Sequence, residues 1–270
     1  MPRRRVRAFP DLVHAASGQW GRLVVVVDAL DDAAFAEPTR IGWTVAQLCA
    51  HIVRTVDAVS RALGEPAQPA RTAQPARPAQ PARPACTAED YFVVARERYE
   101  AIDARARVEA AGQSPAQLRT ALGGAVDRAR ADLDGRDGQT VVEAALGPIR
   151  LADFLETRCV EAVVHGLDLP GSARVDPDPQ ALRAAVRLVT DMLAARAPGR
   201  SVEVRVPPYA VVSCGVGPQH TRGTPPNVVE VPAVVFVELV SGRLDWAAAL
   251  REGATASGAR ADLSRYLPLL

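Results

Sequence analysis

Histidine is scarce in this sequence, so the surroundings of each of its four copies, His14, His51, His165 and His220, are informative. His165 is the most suggestive, because the segment 158–168 reads RCVEAVVHGLD and places Glu161 four residues before it. On a helix, a carboxylate and an imidazole at positions i and i+4 are neighbours that can bind the same cation. The alternative is the polar face of an amphipathic helix, on which Glu161 pairs with Arg158. The spacing alone does not decide between these two interpretations.

His51 is a second candidate nitrogen ligand. It lies in a predicted helix beside an apolar stripe, and its neighbours on the same face are short side chains that leave room next to it. A core histidine with one hydrogen bond is the ordinary alternative. An antiparallel bundle brings its second and last helices side by side, however, which allows His51, Glu161 and His165 to meet in the core. Two nitrogens and one carboxylate with a fourth position open form the ligand set of a catalytic zinc, which lowers the pKa of bound water or thiol.

Two further side chains of the same segment are candidates for catalytic roles. Asp168, one turn beyond His165, is placed to accept a hydrogen bond from its imidazole and orient it, although an ordinary surface carboxylate near a helix end fits the spacing equally well. Arg158 has a planar guanidinium that can clamp a substrate carboxylate, or it only pairs with Glu161.

The helix that carries His51 has a recognisable start. Thr44 is predicted as its N-cap, Gln47 completes a capping box, and Trp43 and Leu48 form a hydrophobic staple. Apolar periodicity and similar start signals predict the following helices before residue 170: 9–30, 45–63, 87–111, 115–133 and 151–169. A short passage containing Gly and Pro, 141–150, connects the last two. This part of the chain is predicted to be an antiparallel helical bundle.

The composition changes after residue 169. Proline-rich turns at 170–179 end one element and start the next, so we place the domain boundary between domains 1–172 and 173–270. The second domain is predicted to be α+β. Its expected elements are a helix over 179–197, strands at 201–206, 211–212 and 228–231, an apolar run at 234–240 that fits strand or helix, and helices at 246–250 and 262–267.

A Pro/Ala-rich segment, 65–86, reads EPAQPARTAQPARPAQPARPAC. Proline removes backbone donors and favours extended conformations, so neither a helix nor a strand ladder is expected here. A domain linker at this point would leave 64 preceding residues with only two helical patterns, too little to enclose a core. We therefore predict a disordered insertion within the helical domain.

Composition excludes several classes of function. The 32 basic residues, all arginine, and 31 acidic residues leave a net charge of +1, so we expect no nucleic-acid partner. Without lysine, Schiff-base and P-loop chemistry are excluded. The four dispersed cysteines favour a reduced, cytoplasmic setting. The apolar runs near the start are too short for a signal peptide, and we predict no membrane span.

Two segments carry a family resemblance. GWTVAQLCAH at 42–51, followed about 110 residues later by RCVEAVVHGLDL at 158–169, resembles the signature segments of the mycothiol-dependent maleylpyruvate isomerase family. The resemblance covers roughly residues 11–169 and implies a DinB-like four-helix bundle. It also implies a metal site of His51, Glu161 and His165 with water as the remaining ligand, Zn²⁺ as the expected metal and mycothiol as thiol cosubstrate. The Pro/Ala insertion departs from a compact family member and directly follows the His51 helix.

The second part, about 179–270, resembles the bacterial sterol-carrier-protein-like domain that often follows this bundle. The likeness is carried by VEVRVPPYAVVSCGVGPQHTRGTPPNVVEV and SGRLDWAAALREGATASGARADLSRYLPLL. Relatives of that fold bind lipids, so an apolar ligand is a possible partner here, although fold alone does not establish cargo.

Three functions are open at this point. The first is a metal-dependent isomerase or thiol transferase that activates mycothiol towards a small electrophilic substrate. The alternative is a non-catalytic lipid carrier in which the bundle is a scaffold. A purely structural metal ranks last, because bundles of this length normally fold without one.

Overall fold

A computed structural model of the chain describes residues 8–64, 86–217 and 226–270. The chain forms two compact units, Met1–Ala181 and Leu182–Leu270. The first is helical and the second contains a small sheet with helices, so the predicted two-domain combination of a helical unit and an α+β unit is confirmed. Across the described ranges, no helix is both long and apolar enough to cross a bilayer.

Four long helices enclose the core of the first unit. One helix pair, α1 and α2, packs against a second pair, α5 and α6, with each member of one pair contacting both members of the other. Large buried side chains such as Trp20, Leu48, Leu122 and Phe154 fill the space between them. The helices of this unit are α1 (Phe9–Ala29), α2 (Val45–Gly64), α3 (Ala88–Glu97), α4 (Tyr99–Ala110), α5 (Pro115–Leu133) and α6 (Leu151–Asp168).

The start of α2 has the predicted capping box. The backbone N–H of Gln47 donates to the hydroxyl of Thr44, and the backbone N–H of Thr44 donates to the amide oxygen of Gln47. Trp43 and Leu48, the predicted staple, are both buried. Because these bonds satisfy donors that a helix start leaves free, they determine where α2 begins and hence where its second turn, with His51, lies.

The single helix predicted over 87–111 is wrong. The structure has two helices there, α3 and α4, separated at Arg98, whose backbone leaves the helical region. Its start is as predicted, since Thr87 and Asp90 form a capping box. The break has a tertiary cause: α3 packs against α6 whereas α4 packs against α2, so the chain turns between two different partners.

The connecting passage 141–150 is a hairpin that the sequence analysis did not predict. Strands β1 (Val141–Ala144) and β2 (Gly147–Arg150) pair antiparallel around a two-residue turn. Gly147 follows that turn with φ +115°, a conformation that side-chain-bearing residues rarely adopt. The strands are too short for their period to be read, and their pairing with each other decides the structure.

A mixed four-stranded sheet forms the centre of the second unit. Its strands, in spatial order, are β4 (Ala210–Cys214), β3 (Val202–Val206), β5 (Val228–Glu230) and β6 (Thr255–Ser257). Strands β3 and β5 are parallel, and the two outer pairs are antiparallel. The alternating sequence of β3 buries Val202, Val204 and Val206, as expected from its period of two. The helices are α7 (Pro179–Arg196), which begins just before the unit boundary, α8 (Ala233–Val240) and α9 (Trp246–Arg251).

Two predictions for this unit have different outcomes, and one strand was not predicted. The apolar run that fitted strand or helix is the helix α8, which starts directly after Pro232. The helix predicted over 262–267 is wrong, since only a 3₁₀ turn, Ser264–Tyr266, forms there. Strand β6 was not predicted, because its three residues are exposed and carry no apolar pattern.

Two predicted features lie wholly or largely outside the described residues. The Pro/Ala insertion is one of them, apart from its last residue, Cys86, which forms an isolated parallel bridge with Ile149. His220 is the other. All four cysteines lie among the described residues and none of them forms a disulfide, and Cys49, Cys159 and Cys214 are buried.

Candidate metal centre

The structure brings His51, Glu161 and His165 together. One ligand atom from each lies within 4.8 Å of the others. His51 comes from α2, whereas Glu161 and His165 lie one turn apart on α6. One oxygen of Glu161, Oε2, is 3.2 Å from Nε2 of His165 and 3.5 Å from Nε2 of His51. Both imidazoles therefore face the same carboxylate oxygen.

The cluster lies in the core of the first unit. His51 is 4% exposed and His165 8% exposed. The α6 segment that carries Glu161 and His165 is buried on nearly every side, including the charged residues Arg158 and Asp168. The solvent-exposed polar face of the alternative interpretation is therefore contradicted for α6, because that face is packed against the rest of the unit. The ion pair between Arg158 and Glu161 that belonged to the same alternative is present, at 3.9 Å.

Burial and hydrogen bonding set the protonation of the three ligands. Burial lowers the pKa of His51 to about 4, although the bond to Glu161 opposes this change, so the imidazole is neutral at neutral pH. Burial alone would raise the pKa of Glu161, but hydrogen bonds from His165 and His51 and the charge of Arg158 hold it well below its usual value. Burial lowers the pKa of His165, and its bonds to Asp168 and Glu161 outweigh that effect and raise it.

Asp168 lies directly behind His165. Its Oδ2 is 3.0 Å from Nδ1 of the imidazole, and the carboxylate is buried. An ionised carboxylate only accepts hydrogen bonds, so it holds a proton on Nδ1 and directs Nε2 towards Glu161. This is the arrangement that orients metal-binding histidines in proteins.

Arg158 is fully enclosed but incompletely hydrogen-bonded. The centre of its guanidinium lies 4.9 Å from the ring centre of Tyr91 and 4.8 Å from that of Phe154. Its Nε donates to the hydroxyl of Thr157, whereas Nη2 is buried without a hydrogen-bond partner, 3.9 Å from Oε1 of Glu161. A buried guanidinium N–H left unpaired is costly, so this nitrogen is suited to an acceptor that arrives with a ligand.

The sequence analysis missed two contacts to the histidines. Trp43, predicted only as a staple residue, lies with its ring centre 5.1 Å from that of His51 and 6.3 Å from that of His165. Its indole N–H donates to Asp103 of α4. Arg54 places Nη2 2.8 Å from Nδ1 of His51, and the available signal was its position three residues further along the same helix.

His14 stays outside the cluster. It lies on α1, where its side chain is exposed. Among the described residues, the cluster of His51, Glu161 and His165 is the one group of three or more potential ligands close enough to hold an ion. Fold and site together define a helical bundle with a buried candidate metal centre, followed by a small α+β domain.

Comparison with known proteins agrees with this class. The profile of the family described as "Mycothiol maleylpyruvate isomerase N-terminal domain" matches residues 16–170, more than half of the chain, and the chain belongs to this family. A second profile, "Bacterial SCP ortholog", matches residues 178–269. Both matches agree with the two resemblances that the sequence motifs indicated.

Two solved structures are similar over almost the whole chain. They are the mycothiol-dependent maleylpyruvate isomerase and a histidine-to-alanine mutant of that protein. Each has a TM-score of 0.64 and 17% sequence identity, and the alignment covers 95% of both chains. At this identity the likeness concerns the fold. No curated protein matches the chain.

Proposed function

We propose that this chain is a metal-dependent enzyme that activates mycothiol, a low-molecular-weight thiol, for transfer to or isomerisation of a small electrophile. The observation that carries the proposal is the buried convergence of two imidazoles and one carboxylate within 4.8 Å. Membership of a family named for a mycothiol-dependent isomerase supports the choice of thiol.

The donor set fits Zn²⁺. Zinc binds histidine nitrogens and carboxylate oxygens at roughly 2.0–2.1 Å, which places neighbouring ligand atoms of a tetrahedral site about 3.3 Å apart. The separations of 3.2 and 3.5 Å between the Glu161 oxygen and the two imidazole nitrogens are close to this value. His51, Glu161 and His165 would hold the ion, and a zinc bound there would lower the pKa of a thiol ligand so that it is a thiolate near neutral pH.

The protein's own residues prepare the cluster for this role. Glu161 is an anion and His51 is neutral at neutral pH, which are the states that metal ligation requires. The pKa of His165 is raised by its bonds to Asp168 and Glu161, so this ring would release a proton on binding the metal. Asp168 holds the ring of His165 with Nε2 towards Glu161. The buried ring of Trp43 lies beside both imidazoles.

Arg158 is assigned to substrate binding. Its guanidinium packs against two neighbouring aromatic rings, and Nη2, which has no hydrogen-bond partner, lies 3.9 Å from Oε1 of Glu161. A planar guanidinium fixed in this way binds a carboxylate with defined orientation. An acidic electrophile anchored here would present its reactive carbon near the metal ligands.

Native mass spectrometry combined with metal analysis tests the proposal. We expect near-stoichiometric zinc in the purified wild-type protein and a mass increase of one thiol on addition of mycothiol. The variants His51→Ala and His165→Ala should lose the metal, whereas the control His14→Ala, at an exposed histidine, should retain it. A wild-type protein that takes up no divalent metal would contradict the proposal.

A further inference from the structure

A second arginine, Arg54, contacts the cluster from the side opposite to Glu161. It lies on α2, one turn after His51, and its Nη2 is 2.8 Å from Nδ1 of that imidazole. A guanidinium has five N–H donors and no acceptor, so Nδ1 must accept this hydrogen bond. The two histidines of the cluster therefore have opposite partners, an acceptor behind His165 and a donor behind His51.

The donor behind His51 determines where its proton lies. A neutral imidazole carries one N–H, and when Nδ1 accepts from Arg54 that proton is on Nε2. This is the nitrogen that faces Oε2 of Glu161 at 3.5 Å. A metal ion needs the lone pair of the same nitrogen, and a neutral ring then carries its proton on Nδ1. The contact with Arg54 is incompatible with that form, because two N–H groups would point at each other.

Arg54 has an alternative hydrogen-bond acceptor, the carboxylate of Glu109. Its Nε forms an ion pair at 3.2 Å with Oε2 of Glu109 on α4, but the N–H is not directed at the oxygen, so both buried atoms lack a hydrogen bond. The guanidinium also borders a cavity of about 180 Å³ between α2, α4 and the start of α5. A small rotation away from the imidazole would complete the bond to Glu109 and use this space.

We propose that Arg54 is a positioning residue that competes with the metal for His51, so that the metal site fills only when the guanidinium moves from His51 to Glu109. This inference rests on the proposed metal site. In the metal-free protein Arg54 keeps His51 fixed and its nitrogens paired. In a loaded protein the ring would carry its proton on Nδ1, and the lone pair of Nε2 would be free to bind the metal. Metal affinity is lowered by the free energy of the lost arginine contact.

Zinc affinity of matched variants of the full chain tests this competition. The chain is freed of metal, and its zinc dissociation constant is measured by competition with a chromogenic chelator. Arg54→Met removes the competing donor, so we expect zinc to bind about tenfold more tightly, the size of effect that one hydrogen bond to a charged group produces. Arg105→Met is the control. It removes a guanidinium from the same cavity, one that donates to Oε1 of Glu109 and does not contact His51.

Loss of positive charge alone predicts a gain in both variants, larger for Arg54→Met because its guanidinium is nearer to His51 and less exposed than that of Arg105. Competition predicts a large gain for Arg54→Met alone. Equal effects in the two variants, or weaker zinc binding in Arg54→Met, would overturn the proposal.

Nitrogen NMR of the four histidines provides a second readout, which is made on the wild-type protein itself. We expect the His51 ring, assigned by its absence in His51→Gln, to carry its proton on Nε2 without metal and on Nδ1 with zinc. A proton already on Nδ1 in the metal-free protein would overturn the role of Arg54 while leaving the metal site intact. Failure of the wild-type protein to bind zinc would instead overturn the proposed function, so the two failures are distinguishable.

Discussion

Hydrogen bonds behind the ligands determine how the cluster behaves at the scale of single residues. The carboxylate of Asp168 accepts from His165, and the guanidinium of Arg54 donates to His51. One imidazole is thus oriented for a metal, whereas the other is held in the tautomer that a metal must displace. The i,i+4 spacing of Glu161 and His165 was sufficient to predict that pair, and the depth of its burial was not predictable from spacing.

Loss of the carboxylate behind His165 should weaken the metal site. In Asp168→Asn the amide no longer enforces a proton on Nδ1 of His165, so we expect zinc affinity to fall by roughly 10- to 100-fold, the usual effect of such outer partners. Chelator competition measures the change. Asp134→Asn, at an exposed carboxylate after α5, should leave the affinity unchanged. Equal zinc affinity in Asp168→Asn and wild type would show that Asp168 does not support the metal site.

Acid should destabilise the metal-free protein through His51. Its pKa is lowered from 6.5 to about 4 on folding, so between these pH values the unfolded chain binds a proton that the folded chain does not. The free energy of unfolding should therefore decrease as the pH falls from 6.5 to 4, by roughly 3 kcal/mol at most.

The contribution of His165 has the opposite sign. Its pKa is raised on folding, so the folded chain holds this proton more tightly than the unfolded chain does. The resulting stabilisation is fully present below pH 6.5, the pKa in the unfolded chain, and is lost as the pH rises through the pKa in the folded chain. Urea unfolding of chelator-treated wild type and His51→Gln across this pH range separates the two effects. The variant should lack the acid-dependent loss between pH 6.5 and 4, and an identical pH dependence would show that His51 titrates normally.

At the scale of elements, the start of α2 and the packing of α6 place the ligands. Capping and apolar periodicity are local, so α1, α2, α5 and α6 were predicted to within one or two residues. The break at Arg98 and the hairpin at 141–150 were missed, because each depends on which distant element the chain packs or pairs with. Neither signal is present in a short window of sequence.

Loss of the N-cap of α2 should affect both stability and the site. Thr44→Ala removes the hydroxyl that accepts from the Gln47 backbone, which should reduce the free energy of unfolding by about 1 kcal/mol. Zinc affinity should also decrease. Trp43 directly precedes this cap and its ring lies beside both imidazoles, so a change at the cap should alter the packing of the site.

Ser114→Ala is the matched control for the α2 cap. It removes the same kind of capping box from α5, and it should lower the denaturation midpoint by a similar amount. The control should leave zinc binding unaltered. Indistinguishable zinc affinities of the two capping variants would show that the entry into α2 does not position the site.

At the scale of the whole molecule, the two compact units divide the chain between Ala181 and Leu182. All three candidate ligands, together with Arg54, Arg158 and Asp168, lie in the first unit. The second unit has its own buried apolar residues, including Phe236 on α8 and the inward side chains of β3. Metal binding and the stability of the second unit should therefore be separable.

Phe236→Ala tests this separation. Phe236 is fully buried, so the cavity left behind should destabilise the second unit by about 3–5 kcal/mol. Zinc affinity under native conditions should equal that of the wild type, since no candidate ligand among the described residues belongs to this unit. Calorimetry and chelator competition on the same sample measure both quantities. A change in zinc affinity as large as that of Asp168→Asn would show that the second unit supports the metal site.

Local sequence rules by themselves determined much of this protein: the helix starts, the pairing of Glu161 with His165, and the change from a helical to an α+β domain. They act between residues a few positions apart, where backbone geometry alone sets the distances. Only the tertiary structure decided that one carboxylate oxygen faces both imidazoles, that Arg158 is buried with an unpaired nitrogen, and that Arg54 donates to His51. Burial and the direction of hydrogen bonds depend on how α2, α4 and α6 pack, and that packing brings together residues far apart in the chain.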